Sequence, residues 1–114
     1  MVEETLSKQQ INNLVQKLAK QAKKDKMPIG KAFVFGSYAK NTANKDSDLD
    51  LCFISSKFKD TFKTEVYLRT KIYFLKDPKI SIPVDVVAFR PQDFQITSPL
   101  VYEIIEHGKE IKLK

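Results

Sequence analysis

The sequence predicts an α/β (α+β) protein, because helical and strand-like segments alternate along its 114 residues. A capped, amphipathic segment comes first, and three short runs rich in aromatic and β-branched residues follow it. The segment between the second and third runs is long enough for a helical crossover. No shift in composition marks a boundary, so residues 1–114 are expected to form a single domain.

The first helix is expected to begin near Ser7, which has capping-box spacing to Gln10. The apolar positions that follow repeat with a helical period: Ile11, Leu14, Val15, Leu18 and Ala22. Pro28 and Gly30 are expected to lie beyond its end.

Three strands are expected over residues 31–35, 48–54 and 84–89, where aromatic and branched residues are concentrated. The second of these alternates at its start and then becomes wholly apolar, as a strand entering the interior does. Residues 109–114 could add a short edge strand.

Two further helices are expected. Residues 58–76 roughly follow a helical period; the run also suits a strand, but a crossover is needed before the third strand. Ser98 and Pro99 have the residue types of an N-cap and a first helical position, and Gly108 stands where a helix C-terminal glycine belongs.

Composition narrows the classes of protein. The chain carries 20 Lys and Arg against 14 Asp and Glu, a net charge of +6 that suits an anionic ligand. Many of the lysines lie on one segment: Lys17, Lys20, Lys23, Lys24 and Lys26. We interpret them as the solvated face of the first helix, because no aromatic residues are interleaved as nucleic-acid binding would favour.

The chain has a single cysteine, Cys52, so it can form no internal disulfide, and a reducing compartment is expected. Residues 1–4 are acidic where a signal peptide would be basic, and no long apolar run follows them. The expectation is a cytoplasmic protein without a membrane segment.

Gly36-Ser37 is the first candidate for a functional role, since it ends a strand and precedes a polar turn. Glycine lets the backbone approach an anion closely, and successive N–H groups with the serine hydroxyl can then face phosphate oxygens. A Gly-Ser pair alone is weak evidence, because most such pairs are simple turns.

Asp48 and Asp50 form the second candidate. At a spacing of two on a strand, both side chains project from one face, while Leu49, Leu51 and Phe53 occupy the other. Two such carboxylates repel each other unless a cation compensates, which favours a divalent metal ion. The alternative is a harmless pair at a surface turn.

Asp85 interrupts the otherwise apolar third strand, and acidic residues are rarely buried without a partner. If that strand lies beside the second, Asp85 comes within reach of the same metal site. The alternative is an aspartate at the exposed end of the strand.

Together, Gly36-Ser37, Asp48-Leu49-Asp50 and a later strand bearing Asp85 resemble the signature of the DNA polymerase β-like nucleotidyltransferase superfamily. Within it the chain resembles the minimal nucleotidyltransferase (MNT-type) domains, including antitoxins paired with HEPN-domain toxins. This resemblance implies a mixed sheet flanked by helices, with the carboxylates at one end of the strands.

The resemblance also implies roles for the residues. Gly36 and Ser37 would hold the triphosphate, Asp48 and Asp50 would bind two Mg²⁺ ions, and Asp85 would complete the metal site and assist deprotonation of the acceptor. Many relatives have Arg-Gly where this chain has Lys40-Asn41. Lysine keeps a positive charge near the phosphates, and asparagine tolerates the left-handed backbone that glycine supplies.

The function that the resemblance implies is transfer of AMP from ATP to a partner. The chain has room for the nucleotide site only, so the acceptor would come from a second copy or from another protein, such as a tyrosine of a HEPN toxin. One alternative is a non-catalytic antitoxin that neutralises its toxin by contact alone. Another is a small nucleic-acid-binding protein, which only the basic charge supports.

Four other residues are weaker candidates. His107 is expected at a helix end and Cys52 in the core. Tyr38 and Lys45 flank the phosphate turn, where they could touch a nucleotide or simply be mobile surface residues.

Overall fold

A computed structural model describes residues 5–114 of the chain as three helices and one four-stranded sheet. The helices are α1 (Lys8–Lys24), α2 (Thr61–Leu75) and α3 (Pro99–His107). The strands are β1 (Lys31–Phe35), β2 (Leu49–Ile54), β3 (Val84–Phe89) and β4 (Lys109–Ile111). Residues 1–4, whose acidic character argued against a signal peptide, lie outside the described residues.

The sheet has the strand order β3-β2-β1-β4. Strand β1 is antiparallel to both β2 and β4, whereas β2 and β3 are parallel and joined by α2 as the crossover. The mixed sheet flanked by helices that the sequence predicted is therefore confirmed.

Helix α1 begins with the predicted capping box. The backbone N–H of Gln10 donates to Ser7 Oγ at 3.1 Å, and that of Ser7 donates to Gln10 Oε1 at 2.8 Å. All five apolar residues of its predicted inner face are buried. The opposite, exposed side of the helix carries Lys17, Lys20, Lys23 and Lys24.

Two elements begin later than expected. Helix α2 starts at Thr61 rather than at Phe58, because the side chain of Asp60 accepts a hydrogen bond from the backbone N–H of Lys63 and so caps the helix. Strand β2 starts at Leu49, which leaves Asp48 just outside it.

Helix α3 is capped as predicted by Ser98, with Pro99 at its first position. Gly108 ends the helix, but its φ of −76° is not left-handed. Glycine is needed there for a different reason, since a Cβ would collide with the carbonyl oxygen of Ile104. The chain then turns directly into β4.

Apolar side chains cover both faces of the sheet. Helices α1 and α2 pack on one face in the main core, which includes Leu18, Leu51, Phe53 and Leu68. A smaller cluster lies on the other face, beneath α3, and consists of Phe35, Cys52, Ile54 and Ile104. Of the described helices, none is long and apolar enough to cross a membrane.

Candidate active site

The end of β1 turns sharply at Gly36. Its φ of +72° is left-handed, and residues Gly36–Tyr38 form a single 3₁₀ turn. Any Cβ at this position would collide with the Oδ2 atom of Asp50 on the neighbouring strand. The backbone of the predicted phosphate turn therefore lies directly against the carboxylate that was predicted to bind metal.

Asp50 and Asp85 are neighbours across the parallel pair of β2 and β3, where their Cα atoms are register partners. Register partners in a sheet point to the same face, so the two carboxylates lie side by side. On its other side Asp50 is the partner of Phe35, the residue before Gly36. The prediction that Asp85 shares a metal site with Asp50 required β3 to lie beside β2, and that strand order is confirmed.

Asp48 lies just before β2 and is exposed. Leu49 anchors this point of the chain, because its backbone N–H donates to the carbonyl oxygen of Pro83 at 3.0 Å. Asp48 is close enough for its charge to act on Asp50. The structure thus brings all three predicted carboxylates to one end of the sheet.

The cluster is under electrostatic strain. Partial burial, together with the negative charges of Asp85 and Asp48, raises the pKa of Asp50 to about 6. No ion pair within residues 5–114 engages any of these three aspartates. Although the chain has a net charge of +6, no basic side chain of the described residues pairs with the acidic end of the sheet.

These residues fit a magnesium ion that is shared with a phosphate ligand. Across the described part of the chain, no three acidic, histidine or cysteine side chains already surround one point as a complete metal cage. Mg²⁺ does not require one, because it commonly takes one or two carboxylates together with water and substrate phosphates. Carboxylate oxygens beside a glycine turn offer that incomplete set of ligands.

The side chain of Lys40 is held by an ion pair with helix α3. Its Nζ lies 2.8 Å from Oε2 of Glu103 on α3, and the hydrogen bond from Lys40 lowers the pKa of Glu103. The following residue, Asn41, has a φ of 60°, so the left-handed backbone expected there is confirmed. Sequence reasoning missed Glu103, because no local signal links α3 to the phosphate turn.

The weaker candidates have surroundings of their own. The hydroxyl of Tyr38 accepts a hydrogen bond from the backbone N–H of Leu6 at 3.2 Å, and its ring packs against the main core. Cys52 is fully buried and is a core residue, as predicted. Burial, with a smaller contribution from Glu65, raises the pKa of its thiol to about 12. His107 ends α3 and Lys45 is exposed.

Comparison with known proteins gives one family and one fold. The family described as polymerase beta, nucleotidyltransferase matches residues 5–114. No curated protein matches the chain. A crystal structure of a toxin–antitoxin with AMP-PNP is similar, with a TM-score of 0.60 and 21% identity over 90% of this chain and 73% of that one.

Two mutants of the MntA–HpeT toxin–antitoxin are also similar. The first, in which two aspartates at a spacing of two are glutamates, has a TM-score of 0.60 and 20% identity over 90% of this chain and 73% of that one. The second, in which a tyrosine is alanine, has a TM-score of 0.56 and 19% identity over 96% of this chain and 75% of that one. At such identities the likeness is one of fold.

Proposed function

Because the chain belongs to the polymerase beta nucleotidyltransferase family, we propose that it is a Mg²⁺-dependent enzyme that transfers AMP from ATP to a protein hydroxyl. The family predicted from the motifs is thereby confirmed. One observation carries the finer proposal: Asp50, beside Asp85, also lies against the backbone of Gly36, and no ion pair with the described residues engages either carboxylate. The whole chain would act as one minimal domain.

The proposed roles follow from where the side chains lie. The Gly36 backbone and the Ser37 hydroxyl would hold the triphosphate, with Lys40 contributing a positive charge once it leaves Glu103. Asp48, Asp50 and Asp85 would hold two Mg²⁺ ions. When bound, these ions neutralise charge on the attacking and leaving oxygens.

In the proposed reaction the acceptor oxygen bonds to the α-phosphorus, the bond from that phosphorus to the bridging oxygen breaks, and pyrophosphate leaves. The proton of the acceptor hydroxyl passes to a carboxylate. Asp85 is suited to receive it, because Asp85 is exposed while Asp50 is half-buried. An incoming protein hydroxyl can therefore reach Asp85 from solvent.

ATP is the proposed donor. The support is a similar toxin–antitoxin structure that contains AMP-PNP, a non-hydrolysable relative of ATP. A reducing cytoplasm is the proposed location, since the lone Cys52 is buried and ATP is the donor.

A toxin is the proposed partner, and a tyrosine of a HEPN-type toxin is the proposed acceptor. Three similar structures are toxin–antitoxin proteins, one of them with a tyrosine replaced. Helix α2 exposes Phe62, Tyr73 and Phe74, which are 71%, 69% and 74% accessible, and α3 exposes Tyr102 and Ile105. Such apolar surfaces favour a protein partner, or failing that a second copy of this chain.

The proposal is tested with labelled nucleotides. The chain would be incubated with Mg²⁺, the candidate toxin and α-labelled ATP, GTP, CTP or UTP. Label from ATP is expected on the toxin, and Asp48→Asn or Asp50→Asn should abolish it. Asp46→Asn is the matched control, because Asp46 is an exposed aspartate in the same loop. Transfer that persists in both site variants would overturn the proposed roles.

The alternative is an antitoxin that acts by contact alone. The exposed apolar residues of α2 and α3 favour it, since they do not depend on the carboxylates. A variant lacking all three aspartates would still neutralise the toxin under this alternative. Under the enzymatic proposal, neutralisation would be lost although the two proteins still bind.

A further inference from the structure

Strand β3 lies at the edge of the sheet and pairs with β2 on one side only. The backbone N–H of Leu49 donates to the carbonyl of Pro83, just before β3, and that of Ser55 donates to the carbonyl of Phe89. These two bonds show which residues of β3 direct their backbone groups toward β2. Backbone groups alternate along a strand, so Val86 and Ala88 direct their N–H and carbonyl groups outward.

Helix α2 supplies partners for two of those outward groups. Arg69 Nη2 donates to the carbonyl oxygen of Val86 at 2.9 Å, and the backbone N–H of Ala88 donates to Glu65 Oε2 at 3.0 Å. Glu65 and Arg69 are one helical turn apart, so they lie on the same side of α2. Arg69 as donor and Glu65 as acceptor thus take the place of a neighbouring strand. Both side chains are charged, which strengthens the hydrogen bonds.

The position of β3 matters because of Asp85, which directly precedes Val86. A slip of one residue would shift Asp85 by about 3.3 Å along the sheet and turn its side chain to the opposite face. The two bonds from α2 tie Val86 and Ala88 to fixed points on the helix and so resist such a slip.

We propose that Glu65 and Arg69 are positioning residues. By binding the free edge of β3, they keep Asp85 in register with Asp50. The inference rests on the proposed function, since the position of Asp85 along the sheet affects catalysis only if Asp85 takes part in it. The alternative is that the two side chains only stabilise the fold.

A double-mutant cycle separates these two roles. Glu65→Ala and Arg69→Met would be made alone and together with Asp85→Asn, and AMP transfer would be measured at saturating and limiting ATP. We expect each single variant to lower kcat about tenfold to a hundredfold, as a small misplacement does. The KM for ATP should change little. In the Asp85→Asn background, neither substitution should lower kcat further.

Two controls accompany the cycle. Glu65→Gln keeps an oxygen acceptor for the Ala88 N–H and should restore most of kcat. Lys71→Met removes a cation of the same helix that lies near Asp25 instead of β3, and should leave kcat unchanged. Equal losses with and without Asp85, or a Glu65→Gln variant as slow as Glu65→Ala, would overturn the inference.

The inference remains testable if the unmodified chain transfers no label, an outcome that would remove only the proposed function. Amide hydrogen exchange at Ala88 should then be faster in Glu65→Ala than in the unmodified chain. Mn²⁺ binding in the presence of ATP, followed by paramagnetic relaxation, should be weaker in both Glu65→Ala and Arg69→Met. Unchanged Mn²⁺ binding would show that these residues do not place the carboxylates.

Discussion

The carboxylate of Asp50 occupies the space that a Cβ at position 36 would need. The two residues are far apart in the chain but adjacent in the sheet, because Gly36 follows the strand residue that pairs with Asp50. The turn proposed to hold phosphate and the carboxylates proposed to hold metal therefore lie together, and a change in either should affect both.

Gly36→Ala should disrupt this contact. A left-handed backbone costs an ordinary residue about 1–2 kcal/mol, and the added Cβ would displace the Asp50 side chain. We expect the free energy of unfolding, measured in urea, to fall by about that amount. Calorimetry should detect no binding of the Mg²⁺–nucleotide complex. Asn41→Gly, at another left-handed position, should leave the stability unchanged or slightly higher. Unaltered binding by Gly36→Ala would contradict the proposed contact with phosphate.

Asp50→Asn should stabilise the metal-free protein at neutral pH. The folded pKa of about 6 lies above the ordinary aspartate value of 3.8, so the unfolded chain loses its proton first as pH rises. The favourable contribution of Asp50 is thus present below about pH 4 and lost by about pH 6. At pH 8 we expect a gain of roughly 1 kcal/mol, because solvent screens this half-exposed group. Thermal unfolding at pH 8 and pH 4 checks it; an equal gain at both would contradict the assignment.

Affinity for Mg²⁺ should depend on pH in the opposite direction. A metal ion binds ionised carboxylates, so protons compete with it below the pKa of Asp50, which is about 6. Calorimetry with a non-hydrolysable ATP analogue should show affinity falling by about tenfold per pH unit below that value. A flat profile between pH 5 and pH 7 would mean that Asp50 does not bind the ion.

Glu103→Gln should raise affinity for the nucleotide. Glu103 holds Lys40 at 2.8 Å, and a nucleotide phosphate would have to compete for that lysine. Exposed ion pairs are weak, so we expect an increase of roughly twofold to fivefold in affinity, measured by calorimetry. Lys40→Met should lower the affinity. If the two substitutions shifted it in the same direction, Lys40 would not be a phosphate ligand.

Local signals predicted much of the fold. The capping box of Ser7 and the apolar runs of β1 and β3 define their elements without help from the rest of the chain. The start of α2 was predicted too early, because the buried Phe58 fits the apolar period although it precedes the cap at Asp60. Such a boundary depends on which polar side chain reaches the backbone.

The candidate site divides in the same way. Strand alternation predicted that Asp85 would lie near Asp50 if their strands were neighbours, and the strand order meets that condition. The contacts of Lys40 with Glu103, and of Arg69 with Val86, link segments whose relative placement no short pattern encodes. They become visible only when the helices are packed on the sheet.

Both edges of the sheet are closed to further strands. Strand β4 has only three residues and carries the charges of Lys109 and Glu110, with Lys112 directly after it, while side chains of α2 bind the edge of β3. Short, charged or covered edges resist the backbone pairing that leads to fibrils. The protein should therefore withstand amyloid-like aggregation even when concentrated, and its recognition of other molecules should depend on side chains instead of on an added β-strand.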